Sequence, residues 1–273
     1  MNKIEKNKVP YLTFNLLEKE GVKHGFSTRL GGVSTGVYES MNLGFSRGDD
    51  ADLVRENYRR LTKAMNISYD RMCMSMQGHT TNVLVVDEKD AGNGIIKPKP
   101  YENIDGLITN TKDMPLVIYA ADCMPLFFYD PVNKVIGAAH SGWRGTVGKI
   151  AKVTIEKMHD NFGSRPEDIL CCIGPSICKN CYEVSREVAD EFIRVFGKEN
   201  SDRILSQSIF NPDDPDKFML DLWEAARLTF EEADIPNNHI ETTDYCTRCY
   251  PELFYSHRIM GNARGSMAGF ISL

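Results

Sequence analysis

The stretch PLFFYDPVNKVIGAAH (125–140) contains two apolar runs separated by a short polar segment. Pro131 presets φ for the first central residue of a turn over residues 130–133, so the two runs are predicted to form a β-hairpin. Both runs are apolar throughout instead of alternating, which is typical of strands that are covered on both faces. The stretch therefore predicts a buried sheet at the centre of the fold.

Further runs of β-branched or aromatic residues extend this pattern along the chain. With the two hairpin runs, the strand candidates are VLVVD (83–87), GLITN (106–110), LVIYAA (116–121), PLFFYD (125–130), KVIGAAH (134–140) and LCCIG (170–174). Apolar residues at helical spacing predict four helices, over residues 52–66, 145–162, 183–196 and 221–234. Together they indicate an α/β or α+β fold, a layered sandwich with a mixed, buried β-sheet and flanking helices.

Boundary signals support the predicted helices. Gly163 and Gly197 follow the second and third of them, where glycine commonly ends a helix. Asp221 and Glu224 resemble a capping box at the start of the fourth. No internal repeat, low-complexity tract or linker divides the chain, so we expect residues 1–273 to form one domain.

Composition restricts the class of protein. The chain is 42% hydrophobic and 26% charged, as in soluble globular proteins. A formal net charge of −6 argues against a nucleic acid as the main partner. No segment approaches the roughly 18 uninterrupted apolar residues of a membrane span, and the N-terminal segment lacks a signal-like apolar stretch. We expect a cytoplasmic monomer or homodimer that binds neither nucleic acid nor membrane.

Eight cysteines include two Cys-x-x-C pairs, CKNC (178–181) and CTRC (246–249). Two such pairs can build a four-cysteine zinc site, but in ribbon-type sites roughly 15–20 residues separate them, and the gap here is several times longer. Three interpretations remain open: a structural zinc site, a disulfide, or ordinary thiols of the core and loops. The spacing favours ordinary thiols.

The hairpin also predicts a chemical site. If residues 130–133 form the turn, Cys123 and His140 face each other across the two strands, with Cβ atoms roughly 4.5–5.5 Å apart. With His79 as the best candidate for a third ligand, they would bind Zn²⁺ and leave one position open. Alternatively, His140 activates Cys123 as a nucleophile, or both are ordinary core residues.

The surroundings favour a functional site over an ordinary core. Asp122 adjoins the cysteine in an apolar run, where a buried acid needs a partner. After the histidine, Gly142 and Gly145 bracket Trp143 and Arg144, which suits a loop whose backbone approaches a ligand.

Seven segments together resemble the YfiH family, also called laccase-domain or polyphenol-oxidase-like proteins. They are HGFSTRLGGVS (24–34), QGHTTNV (77–83), IDGLIT (104–109), ADCMPLFFYDP (121–131), AAHSGWRGT (138–146), IGPSICKNCYEV (173–184) and CTRCYPELFYSHR (246–258). The resemblance runs in order over nearly the whole chain. It implies a compact layered α/β domain, similar in fold to a toxin deamidase with a Cys–His pair, and one zinc ion held by His79, Cys123 and His140.

The resemblance also implies an activity. The family has been assigned phosphorolysis of adenosine, inosine, guanosine and methylthioadenosine, with adenosine deamination at the same site. A third assigned role is an amide hydrolase that edits peptidoglycan precursors. The laccase name implies four coppers and many histidines, whereas this chain has six histidines and no His-x-His. The ligand count therefore disfavours a copper oxidase, although copper could still occupy the site.

Phosphorolysis requires a cationic pocket for phosphate. We predict Arg29 and Arg144 for this role, since each lies among glycines in a segment that matches the family and guanidinium grips phosphate in a bidentate way. Either could instead form a structural salt bridge. Arg258 is a weaker candidate. Arg264 could match an arginine in the C-terminal segment of the family, and we assign it no role from the sequence. The resemblance also implies His24 and Gln77 as pocket residues. Asp105 or Asp122 could accept the second imidazole proton of a ligand histidine and so orient its ring.

Overall fold

The computed structural model describes all residues, 1–273. Its strands are β1 (Asn2–Lys6), β2 (Val9–Thr13), β3 (Lys23–Ser27), β4 (Cys73–Met74), β5 (Val83–Val85), β6 (Gly106–Thr109), β7 (Leu116–Ala120), β8 (Met124–Asp130), β9 (Val135–Ser141), β10 (Leu170–Ile173), β11 (Glu183–Ser185), β12 (Leu205–Gln207), β13 (Lys217–Leu220), β14 (Ile240–Thr242) and β15 (Met267–Ser272). Its helices are α1 (Asn15–Lys19), α2 (Ala51–Met65), α3 (Trp143–Val147), α4 (Ile150–Phe162), α5 (Arg186–Ile204), α6 (Leu222–Glu232) and α7 (His257–Met260). No helix combines the length and the apolar character needed to cross a bilayer.

The strands form two six-stranded sheets and one small sheet. The orders are β1-β2-β3-β15-β7-β4 and β14-β10-β8-β9-β6-β5, with β11-β13-β12 as the third. Both large sheets are mixed, because β4 pairs with β7, β5 with β6 and β10 with β14 in parallel, while their other pairs are antiparallel. All six predicted strands are present. They are divided between two sheets, however, where the sequence predicts one.

The apolar strands of the hairpin are buried on both faces. Phe127 points into the core between the two large sheets, whereas its neighbour Phe128 packs against the helices on the outer side. β7 alternates in the same way, with Ile118 between the sheets and Val117 against α2. The order of layers is therefore α2, first sheet, second sheet, and then α4, α5 and α6.

The hairpin register differs from the prediction. Asp130 pairs with Val135 and Pro125 with His140, so the connecting loop has four residues, 131–134. The Asp130 carboxylate closes this loop by accepting the N–H groups of Val132 at 2.8 Å and Asn133 at 3.0 Å. The prediction that Cys123 lies directly opposite His140 is therefore wrong. Since the shift is two residues, the face is unchanged, and Cys123 remains a diagonal neighbour of His140.

Two of the four predicted helices match closely and two are interrupted. α2 and α6 match, and the Asp221 side chain caps α6 by accepting the N–H of Glu224 at 3.1 Å. The helix predicted over 145–162 is broken into α3 and α4, where Lys149 adopts a left-handed φ of 56°. Gly197 interrupts α5 with φ 75° as expected, but the chain resumes a helix up to Ile204.

Candidate metal centre

Three side chains from separate parts of the chain converge at one end of the second sheet. His79 lies on the loop between β4 and β5, Cys123 immediately precedes β8, and His140 is in β9. Their ligand atoms all lie within 4.8 Å of one another, and the two imidazole rings meet edge to face. His140 is buried, Cys123 is half-buried and His79 is exposed. We call these three residues the His–Cys cluster.

Asp105, at the start of β6, organises the His–Cys cluster. Its fully buried carboxylate accepts the successive N–H groups of Gly78, His79 and Thr80 at 2.9, 3.1 and 2.8 Å. The same carboxylate lies 2.8 Å from Nδ1 of His140. One acid therefore fixes the loop that carries the first histidine and orients the ring of the second.

Burial and electrostatic interactions shift the pKa values of Asp105 and His140 in opposite directions. Burial raises the pKa of Asp105, but hydrogen bonds from His140 and from the Thr80 and Gly78 N–H groups outweigh it and bring the pKa to about 2. Burial lowers the pKa of His140, but Cys123 and Asp105 outweigh it and raise the pKa to about 9. Because ionised Asp105 can only accept, Nδ1 of His140 donates to it. Nε2 is then the ring nitrogen available to a metal ion.

The His–Cys cluster fits a tetrahedral zinc ion. Zn–N and Zn–S bonds of about 2.0–2.3 Å place neighbouring ligand atoms roughly 3.5 Å apart, within the 4.8 Å that bounds the three here. A Cβ at position 142 would lie 3.0 Å from Sγ of Cys123 and 3.1 Å from Nδ1 of His79, so Gly142 allows the close packing. Three protein ligands leave a fourth position open, as in catalytic zinc sites.

A cavity of about 350 Å³ opens on the His–Cys cluster, and all three of its residues line the wall. The wall also carries three cationic residues, Arg47, Lys99 and Arg264, and the apolar or aromatic residues Phe45, Met76 and Tyr119. No acidic side chain lines the cavity. Its volume lies within the range of roughly 300–1,000 Å³ of small-molecule sites. The cavity is therefore suited to an anion next to a flat, partly apolar group.

Arg264 is the most unusual of these cations. Its side chain is 5% exposed, one Nη donates to the Gly265 carbonyl at 2.8 Å, and the buried Nε has no hydrogen-bond partner. Burial, with the nearby Arg47, lowers the pKa of Arg264 to about 10, so the guanidinium remains charged at neutral pH. A buried cation normally has a partner. A guanidinium on the wall of a cavity that has no acidic side chain therefore indicates an anion site.

The two arginines predicted for phosphate lie elsewhere. Arg29 donates to the carbonyls of Glu39 at 3.0 and 3.2 Å and of Pro251 at 3.0 Å, so its guanidinium ties surface loops together. Arg144 is exposed and stacks on its neighbour Trp143. Neither arginine lines the cavity. The role of Arg29 and Arg144 stays a prediction. Arg47 and Lys99 do line the cavity, but no local motif marks them in the sequence.

The predicted pocket residues His24 and Gln77 have different positions. His24 is buried away from the cavity, where Nε2 accepts the N–H of Phe14 at 2.8 Å and Nδ1 donates to the Val22 carbonyl at 2.9 Å. Gln77 lines the cavity, and its amide accepts from the Tyr119 N–H at 2.7 Å and donates to the Tyr119 carbonyl at 2.9 Å. The Gln77 side chain thus pairs with the backbone of β7 at the cavity wall, as a neighbouring strand would.

The second candidate acid, Asp122, has a different task from Asp105. Its carboxylate accepts the hydroxyls of Thr247 at 2.6 Å and Ser256 at 3.0 Å, and the backbone N–H of Arg258 at 2.6 Å. It therefore anchors the C-terminal segment beside Cys123 and contacts no histidine. The Arg258 side chain does not line the cavity.

Known proteins are similar to this chain in sequence and in fold. Residues 23–273 match the family described as multi-copper polyphenol oxidoreductase laccase. The purine nucleoside phosphorylase YlmD of Bacillus subtilis (strain 168) is 35% identical over 251 residues, which cover 91% of this chain and 87% of that protein. The adenosine deaminase RL5, from an unknown prokaryotic organism, is 32% identical over 244 residues, which cover 89% of this chain and 90% of that protein.

A solved structure confirms the predicted fold class. The crystal structure of YlmD from Geobacillus stearothermophilus superposes with a TM-score of 0.90 at 32% identity, covering 98% of this chain and 97% of that one. The family match and the relatives also confirm the resemblance drawn from the sequence. The chain belongs to this laccase-like family.

Proposed function

We propose that this chain is a zinc-dependent purine nucleoside phosphorylase with adenosine deaminase activity in the same cavity. The observation that carries the proposal is a His₂Cys cluster that opens into a cavity lined by three cations and no acid. The names of relatives at 32–35% identity support both reactions. The substrates would be adenosine, inosine, guanosine or methylthioadenosine, with phosphate as the acceptor.

In this proposal, His79, Cys123 and His140 hold the zinc ion. When bound there, zinc supplies a Lewis acid and activates water for attack on C6 of adenine near neutral pH. Asp105 keeps Nδ1 of His140 protonated, which would leave Nε2 to bind the ion. Phe45, Met76 and Tyr119 supply the apolar part of the cavity wall against which a purine would pack.

Phosphorolysis uses the other wall of the cavity. A phosphate oxygen attacks C1′ of the ribose, the C1′–N9 bond breaks, and its electron pair stays on the purine, which then takes up a proton. Arg47, Lys99 and Arg264 would hold the phosphate and screen its charge from the departing base.

A multicopper oxidase is disfavoured despite the family description. The chain has six histidines, and only two of them lie in the His–Cys cluster. Oxidases with four coppers need imidazole in larger number. Copper at the single His₂Cys cluster is compatible with this argument, but a four-copper array is not.

The second candidate function is a thiol hydrolase that acts on an amide. One observation favours it: Cys123, His140 and Asp105 lie in series, with Nδ1 of His140 2.8 Å from the acid, as in a nucleophile–base–acid triad. Such a triad gives the His79 imidazole no role in the reaction. Alkylation separates the two functions, because a zinc-bound thiolate is protected whereas a triad thiolate reacts near neutral pH.

Turnover of nucleosides tests the proposed function. Metal-replete protein is incubated with adenosine, with and without phosphate, and the products are separated by liquid chromatography. We expect adenine and ribose 1-phosphate only when phosphate is present, and inosine in both cases. Failure to convert adenosine, inosine, guanosine and methylthioadenosine would reject it.

An Arg264→Gln variant tests the phosphate wall. We expect kcat/KM for phosphorolysis to fall about 10²–10³-fold, because a preorganised cation that stabilises developing charge is lost. Deamination needs no phosphate and should change little. Arg60→Gln is the control, since that exposed cation pairs with Glu56 outside the cavity and its loss should spare both reactions. Equal losses of both reactions in Arg264→Gln would contradict the assignment.

A further inference from the structure

The two Cys-x-x-C pairs, far apart in the sequence, meet in space. The Sγ atoms of Cys178, Cys181, Cys246 and Cys249 all lie within 4.8 Å of one another, and those of Cys181 and Cys249 are 3.4 Å apart. None of the four lines the cavity described above. We call them the four-cysteine cluster. The long gap that argued against a shared site does not separate them.

Backbone hydrogen bonds hold both pairs in tight turns. The Cys178 carbonyl accepts the N–H of Cys181 at 3.0 Å, and the Cys246 carbonyl accepts the N–H of Tyr250 at 3.2 Å. A parallel bridge between Ser176 and Cys246 joins the two segments. The N–H of Cys178 also points at Sγ of Cys246, 3.3 Å away. A backbone N–H aimed at sulfur stabilises the thiolate, which is the form that binds metal.

We propose that the four-cysteine cluster is a structural zinc site, separate from the His–Cys cluster. Zn–S bonds of about 2.3 Å in a tetrahedron place sulfur atoms roughly 3.8 Å apart, which agrees with the distances above. With four protein ligands, the site is closed to substrate. Iron–sulfur clusters hold their cysteines further apart, because several iron and sulfide ions lie between them.

Each Cys-x-x-C turn carries a cationic residue, and one of them joins the two turns. Four thiolates exceed the charge of one Zn²⁺, and a cation lies inside each turn: Lys179 in CKNC and Arg248 in CTRC. Arg248 also donates to the Cys181 carbonyl, 3.4 Å away, across the two turns. Arg248 thus links the two turns, whereas the Lys179 ammonium donates to the Arg203 carbonyl at 3.4 Å.

The position of the cluster indicates its task. Thr247 lies between the cysteines of CTRC and donates to Asp122, the neighbour of Cys123. A zinc ion here would tie the loop after β10 to the C-terminal segment that supports the wall next to Cys123. The inference does not depend on the reaction proposed above.

Metal content of the full chain tests the inference. Protein purified without chelator should contain two zinc ions, and Cys123→Ala and Cys178→Ser should each retain one. Cys171→Ala is the control, because that buried thiol belongs to neither cluster and its loss should leave two. Zinc-edge X-ray absorption of Cys123→Ala should then show only sulfur ligands at about 2.3 Å. We also expect Cys178→Ser to melt at a lower temperature.

Several results would overturn the inference. One zinc ion in the wild type with none in Cys123→Ala would assign all the metal to the His–Cys cluster. Iron in place of zinc would also overturn the inference. So would an intact mass that lacks two or four hydrogens, because it would indicate disulfides. If Cys178→Ser fails to fold, the absorption spectrum of Cys123→Ala still decides.

Discussion

Replacing Cys123 with alanine is expected to lower kcat/KM for adenosine phosphorolysis and deamination by at least about 10³-fold, the loss of several kcal/mol of transition-state stabilisation. The variant should also contain one zinc ion fewer than the wild type. The physical reason is ligand number, since His79 and His140 alone fall below the three protein ligands typical of a catalytic zinc site. Steady-state kinetics and elemental analysis on the same preparation check both effects.

Cys171→Ala provides the comparison for this variant, because its buried thiol lies outside both cysteine-containing clusters. It should retain activity and zinc while losing some stability from the cavity it creates. An inactive Cys123→Ala variant with unchanged zinc, combined with rapid alkylation of the wild type at Cys123, would instead favour the thiol hydrolase.

Asp105→Asn is expected to weaken zinc affinity about 10–100-fold, the usual effect of losing a carboxylate partner of a ligand histidine. The amide can accept with only one atom, so the N–H groups of residues 78–80 lose an acceptor and the loop with His79 loosens. Stability should fall on the order of 3 kcal/mol, the scale of a hydrogen bond to a charged group. Competition with a chelator measures the affinity, and denaturant unfolding measures the stability.

The pH dependence of stability supplies an independent check. In the folded protein, the pKa of Asp105 is about 2, below the unfolded value of about 3.9. Its contribution is therefore present above about pH 4 and is lost as pH falls towards 2. The Asp105→Asn variant should lack this loss of stability between about pH 4 and pH 2. Asp130→Asn is the matched control: Asp130 is also fully buried and caps the hairpin loop. It should lose stability without losing zinc affinity, and equal zinc loss in both variants would refute the role of Asp105.

Local pattern was sufficient to predict much of the framework. Strands apolar along their whole length, such as β8, predicted burial on both faces, because alternate side chains point to opposite sides of a sheet. Helices with a signal at each boundary, such as α6 with its Asp221 cap, were predicted within two residues. The motif segments also led to His79, Cys123 and His140, which the structure brings together.

Partnerships across the fold could not be predicted in this way. The hairpin register depended on the Asp130 side chain closing a four-residue loop, and the earliest strands and β15 were not predicted at all. The cations Arg47, Lys99 and Arg264 come from three distant segments and carry no shared motif. Spacing likewise gave no indication that the two Cys-x-x-C pairs meet, although a bridge between Ser176 and Cys246 joins their segments. Helix and strand periodicity depends on residues that are close in the sequence. Burial, desolvation and the convergence of charges or thiolates depend on distances between remote residues, which are set only when the layers pack.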